Sequence, residues 1–170
     1  MNFGPELPMP FTFCPSSKAR ASQGPAPKTC VEETAIRPVE KQQKPKRVLV
    51  MDDESSILEM TGRMLGSQGY EVETAIDGDT AVAQYRAAMD AENPFDLVIM
   101  DLTVPSGMNG FDAFKAIQAF DPGVKVILST GYAHEPVVVN FKEYGIAGVA
   151  PKPYRVMDLL GTVAGVLNGS

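Results

Sequence analysis

From Arg47 onward the chain alternates short continuous apolar runs with longer stretches where apolar residues return every three or four positions. Val48-Leu49-Val50-Met51 and Leu97-Val98-Ile99-Met100 are runs of the first kind, and each ends in acid. That pattern suits strands buried on both faces of a parallel sheet. Val124-Lys125-Val126-Ile127-Leu128 reads as another strand, Val72 and Ala75 lie in a short one before the Asp77-Gly78 turn, and Gly148-Val149-Ala150 is the last. Between the strands, Ile57, Leu58, Thr61, Met64 and Leu65 fall at helical spacing over 55–67, closed by Gly69. Ala81, Val82, Tyr85, Ala88 and Met89 form a second stripe, stopped by Asn93-Pro94. Gly110 opens a third helix with Phe111, Phe114 and Ile117 inward. Residues 136–144 read as a fourth, and Val156, Leu159, Leu160, Val163 and Leu167 mark the fifth.

Five β-α units with short connections predict an α/β fold, a doubly wound parallel sheet with helices on both faces. Right-handed crossovers leave few topologies for it. Ligands in such folds bind outside the carboxyl ends of the strands, so the residues just after each strand carry the information. They are Asp52 and Asp53 after the first strand, Asp101 after the third, Thr130 after the fourth and Lys152 after the fifth. Taken singly, each has an ordinary reading: an Asp before a helix caps it, a strand-end Thr serves a turn, a Lys faces solvent. Together they bring three carboxylates, a hydroxyl and an ammonium to one edge. Clustered carboxylates resist shared ionisation, which a divalent cation relieves, and an all-oxygen site favours Mg²⁺. Carboxylates also serve as nucleophiles in making aspartyl phosphates, for which Mg²⁺, a lysine and a hydroxyl are fitting companions.

Residues 1–46 differ in kind. They hold eight of the fourteen prolines and no sustained period, the composition of a flexible Pro-rich arm or linker, although Phe11-Thr12-Phe13 alternates like a strand. Their net charge is about +3, against about −9 for 47–170, within a total of −6. So acidic a domain is a poor match for nucleic acid or an anionic membrane surface. Cys14 and Cys30 supply neither a disulfide framework nor metal-ligand spacing. No apolar run reaches the roughly 18 residues of a membrane span and no secretion signal opens the chain, which makes a cytoplasmic protein the default expectation. His134, the only histidine, stands in a loop without the nucleotide-binding boxes of a kinase, and Glu54 is expected in the first turn of the first helix.

Four segments carry a family resemblance: Val48-Leu49-Val50-Met51-Asp52-Asp53-Glu54, Asp101-Leu102-Thr103-Val104-Pro105, Ser129-Thr130-Gly131-Tyr132 and Lys152-Pro153-Tyr154. In order and spacing over 47–168 the chain resembles the receiver domains of two-component response regulators. The resemblance implies a flavodoxin-like five-stranded sheet of order 2-1-3-4-5 and a phosphorelay switch rather than a turnover enzyme. It implies Asp101 as phosphoacceptor, Asp53 as a direct Mg²⁺ ligand, Asp52 as a ligand directly or through water, and the Thr103 carbonyl on the metal. Thr130 is then the switch hydroxyl and Lys152 the lysine that pairs with phosphate, with a cis peptide at Lys152-Pro153. The implied phosphodonor is a histidine kinase or a histidine phosphotransfer protein.

Three departures shape the expectation. Pro105-Ser106-Gly107-Met108-Asn109-Gly110 is one residue longer than the usual loop, as in receivers fused to or serving hybrid sensor kinases. Val149 replaces the aromatic residue frequent three positions before the lysine. Tyr132 and Thr103 are placed to influence water access and phosphoryl lifetime. Two other functions compete: a haloacid-dehalogenase-type phosphatase, for which Thr103 stands where a second Asp belongs, and a receiver-like binding module that is never phosphorylated. Too few residues follow the last helix for an effector domain, so the expected output is protein docking on the last two β-α units, or attachment to a larger kinase. The β-branched run Val137-Val138-Val139 suits a mobile element there.

Overall fold

The computed structural model describes residues 44–105, 107–131 and 136–169. Most of the arm expected over 1–46, with Phe11-Thr12-Phe13 and both cysteines, lies outside the described residues, as do Tyr132 and His134. In chain order the elements are β1 (Arg47–Met51), α1 (Ser55–Ser67), β2 (Glu71–Ala75), α2 (Gly78–Asp90), β3 (Leu97–Asp101), α3 (Gly110–Gln118), β4 (Val126–Thr130), α4 (Pro136–Val139), β5 (Gly148–Pro151) and α5 (Val156–Asn168). All strand pairs are parallel, and the sheet order is β2-β1-β3-β4-β5. The five β-α units, the doubly wound sheet and its strand order agree with the sequence reading.

Strands β1, β3 and β4 are buried along their whole length: each is built around an apolar run with a covered face on either side, and the polar residues at their ends are buried with it. Alternate residues feed two cores. Leu49, Met51, Val98, Met100, Val126 and Leu128 pack with Tyr85, Phe114 and Ile117 from α2 and α3. Val48, Val50, Leu97, Ile99 and Ile127 pack with Leu58 and Leu65 of α1 and Leu159 and Val163 of α5.

Several boundaries differ from expectation. Strand β4 begins at Val126 rather than Val124, since the Val124 amide closes a turn onto the Asp121 carbonyl (3.2 Å). Helix α4 ends at Val139 rather than continuing to 144. The β-branched run gives poor helix propensity, and 140–145 continue as turns that end where Gly145 takes φ +84° and the Ile146 amide reaches back to the Phe141 carbonyl (3.0 Å). Val156 opens α5 but stays 47% exposed, on the solvent side with Met157. Met89, assigned to the inward stripe of α2, is also exposed. Glu54 occupies the N-cap position of α1 rather than its first turn and makes no side-chain cap, and the helix-capping reading that an Asp before a helix invites does not hold for Asp53.

Where the acid edge meets α3, the backbone leaves no room for a side chain. A Cβ on Gly110 would overlap the carbonyl oxygen of Asp101, so this glycine is what lets α3 start against the end of β3. Gly62, inside α1, has nothing within 4 Å of the same position. Gly110→Ala is therefore expected to lose about 2 kcal/mol or more in urea denaturation, while Gly62→Ala gains about 0.5–1 kcal/mol from helix propensity. Equal effects at the two positions would contradict this packing.

An acidic pocket at the carboxyl edge of the sheet

Neighbouring strands β1 and β3 run in register, with Met51 opposite Met100, and so deliver Asp52 and Asp101 side by side. Both are almost fully buried, at 2% and 4% exposure, whereas Asp53 faces solvent. Carboxylate oxygens of Asp52, Asp53 and Asp101 all lie within 4.8 Å of one another. From the far side of the sheet β5 brings Lys152, whose Nζ donates to Asp52 Oδ2 at 2.6 Å and lies 3.1 Å from Asp101 Oδ2. Three negative charges thus face one positive charge, and the deficit is that of a divalent cation.

Backbone donors hold the carboxylates in place. Asp52 Oδ1 accepts the Glu54 amide (3.0 Å) and Asp101 Oδ1 accepts the Thr103 amide (3.4 Å). The Asp52 amide is fixed to the Ala75 carbonyl (3.1 Å), and the Leu102 amide to the Ser129 carbonyl (2.8 Å). Burial pushes the Asp101 carboxyl above the ordinary carboxylate value, against the pull of Lys152. Burial alone would lower Lys152, but hydrogen bonds and charge from Asp52 and Asp101 outweigh it and hold the ammonium above the ordinary lysine value. The ion pair therefore keeps its proton on the lysine, while the low dielectric around Asp101 makes a third negative charge costly.

Thr130, fully buried, ends β4, and its carbonyl accepts the Lys152 amide at 2.6 Å. Lys152-Pro153 is cis, as the resemblance implied. Thr103 is exposed two residues past Asp101. Val149 lies half-buried in β5 opposite Leu128. The longer loop after Asp101 is strapped to α2: the Gly78 amide donates to the Met108 carbonyl (2.9 Å) and the Met108 amide to Asp79 Oδ2 (3.2 Å). A Cβ on Gly78 would come within 2.5 Å of that carbonyl. Asp77 caps α2 by accepting the Thr80 amide (2.7 Å), and hydrogen bonding from Thr80 holds its carboxyl below the ordinary value. Sequence reasoning read Asp77-Gly78 as a turn but missed the cap at Asp77 and the contact made by Asp79, although an Asp-Gly-Asp turn before a helical stripe is a capping signal.

A doubly wound sheet with three strand-end carboxylates and a lysine at its switch edge defines an acidic pocket suited to a phosphoryl group and a hard cation. Residues 48–164 match the response regulator receiver domain. The chain is 36% identical over 124 residues to the chemotaxis protein CheY of Treponema pallidum, covering 72% of this chain and 83% of that protein. Among solved structures it is similar to the CheX-CheY-BeF3-Mg complex of Borrelia burgdorferi, at 28% identity and a TM-score of 0.66, covering 72% of this chain and 89% of the other. It is likewise similar to the response regulator TrrA of Thermotoga maritima in complex with Mg²⁺ and BeF, at 29% identity and a TM-score of 0.62, covering 71% and 98%.

The chain belongs to the receiver domains of two-component response regulators. It is a phosphoacceptor signalling switch and not a turnover enzyme, so the phosphatase and binding-module readings are not favoured. Receiver domains bind Mg²⁺ at an acidic pocket and interact with histidine kinases or phosphotransfer proteins. Among the described residues no helix is long and apolar enough to cross a membrane.

The raised Asp101 value has a consequence for stability. Its ionised form costs the fold nothing below the ordinary carboxylate value, and the cost grows as pH rises until it is complete above the raised value. Without divalent cation, Asp101→Asn is expected to melt a few degrees higher than the native chain at neutral pH, with the gap closing at acid pH. Thermal denaturation in chelator across pH 3–8 checks this, and a variant less stable at neutral pH would count against a destabilised carboxylate.

Proposed function

We propose that Asp101 is the phosphoacceptor, within a receiver unit of residues 47–170 to which 1–46 are appended as an arm. The observation that carries the proposal is the Lys152 ammonium set between Asp52 and Asp101, beside three carboxylates it cannot neutralise alone. The donor is a phosphohistidine of a histidine kinase or a histidine phosphotransfer protein. In the transfer, a carboxylate oxygen of Asp101 forms a bond to phosphorus as the P–N bond of the phosphohistidine breaks, and the electron pair leaves on the imidazole nitrogen. Attack needs Asp101 ionised, and Lys152 offsets the burial that opposes ionisation. Lys152 follows the new charge onto a phosphoryl oxygen, and Thr130 donates its hydroxyl to another.

An all-oxygen donor set with one exposed member suits Mg²⁺, which keeps several waters. Asp52, Asp53, Asp101 and the Thr103 carbonyl would hold it. When bound, Mg²⁺ neutralises charge on the phosphoryl oxygens during in-line transfer. Phosphorylation is read out by a protein partner docking on β4-α4 and β5-α5. The single-turn α4 and the turns after it supply a weakly structured element for two conformations to share. The compartment is the cytoplasm, where such kinases act.

Incubating the full chain with acetyl phosphate and reading intact mass tests the assignment. With Mg²⁺ the native chain is expected to gain one phosphoryl group. Asp101→Asn should gain none, and Lys152→Met should gain it at least tenfold more slowly. Mg²⁺ should raise the melting temperature of the native chain more than that of Asp101→Asn. Mass gain by Asp101→Asn equal to that of the native chain would remove Asp101 from the role.

A further inference from the structure

The loop that carries Lys152 is held on one side by the sheet, through the Lys152 amide on the Thr130 carbonyl. On its other side stands a contact that the phosphoryl chemistry does not explain. Two residues past Lys152, the Tyr154 hydroxyl lies 3.2 Å from Thr61 Oγ1. Thr61 is fully buried in α1, and the Tyr154 ring packs against the core that α1 and α5 share. A buried threonine hydroxyl in a helix needs a partner, and here that partner comes from across the site, 93 residues away. Helix α1 starts at Ser55, directly after Asp52, Asp53 and Glu54. The Thr61–Tyr154 hydrogen bond therefore joins the segment that carries two of the carboxylates to the loop that carries the ammonium.

We propose that Tyr154 and Thr61 are positioning residues for the phosphoryl transfer, acting through Lys152. The inference rests on the reading that Lys152 contacts the transferring phosphoryl group. Pro153 stands between Lys152 and Tyr154, so few backbone torsions separate the anchored ring from the lysine. The anchor keeps the lysine stem along the pocket wall while its ammonium moves between Asp52, Asp101 and a phosphoryl oxygen. Without the tie the loop remains bonded to β4, but the ammonium samples positions that do not meet the phosphoryl oxygens, and the rate falls.

A double-mutant cycle on the full chain separates this role from packing, with the rate of phosphorylation by acetyl phosphate and Mg²⁺ as the readout. Tyr154→Phe and Thr61→Val should each slow phosphorylation about fivefold, the worth of one ordinary hydrogen bond. Thr61→Ser, which keeps the hydroxyl, should retain the native rate. In a Lys152→Met background, Tyr154→Phe should change nothing further. Thermal melts of all variants supply the check that they are folded. A native rate for folded Tyr154→Phe overturns the proposal, and so does a fivefold loss that persists in the Lys152→Met background. If Lys152→Met alone leaves the rate unchanged, the role given to Lys152 has failed and the inference built on it falls with it.

Discussion

Strands β1 and β3 are adjacent and buried on both faces, so the acids that end them can meet water only at the sheet edge. That geometry forces Asp52 and Asp101 together and leaves Asp53 as the exposed member of the trio. Buried like charges at this spacing cost the fold free energy unless something answers them. Lys152 answers one. The remaining negative charge makes the pocket a receptor for a hard cation, and makes the fold sensitive to what the pocket holds.

Everything around the pocket limits how it can respond. Gly110 lets α3 start against the Asp101 carbonyl, and the loop after Asp101 is strapped to the first turn of α2 through Met108, Gly78 and Asp79. The acid side of the site is therefore stiff. The opposite side is looser, for α4 is a single turn followed by irregular turns. Around Asp101, the α2 and α3 side thus carries more backbone ties than the four-residue α4. This asymmetry is a physical ground for the output proposed through the last two β-α units, where Val149 stands in place of an aromatic ring.

Much of this was legible in the residues themselves. Continuous apolar runs marked β1 and β3, and the helical stripes marked α1, α2 and α5, because burial fixes those periods. The strand-end residues Asp52, Asp53, Asp101, Thr130 and Lys152 could be named because the fold class dictates which edge matters. What failed was local. Val137-Val138-Val139 looked like the start of a helix to 144, but periodicity cannot report where β-branched residues let turns take over. Val156 looked inward because its spacing fits α5, yet it stays largely exposed at the start of the helix, while Leu159 is the first residue of α5 to reach the core. The Thr61–Tyr154 bond was invisible, since a contact across 93 residues leaves no mark in spacing.

Of the three carboxylates, the one proposed to accept the phosphoryl group is Asp101. Borohydride reduces an aspartyl phosphate to homoserine, which marks the acceptor permanently in the chain. After incubation with acetyl phosphate and Mg²⁺, reduction and peptide mapping should find homoserine at position 101 and aspartate intact at 52 and 53. Homoserine at 52 or 53, or phosphorylation that leaves no homoserine in the chain, would contradict the account.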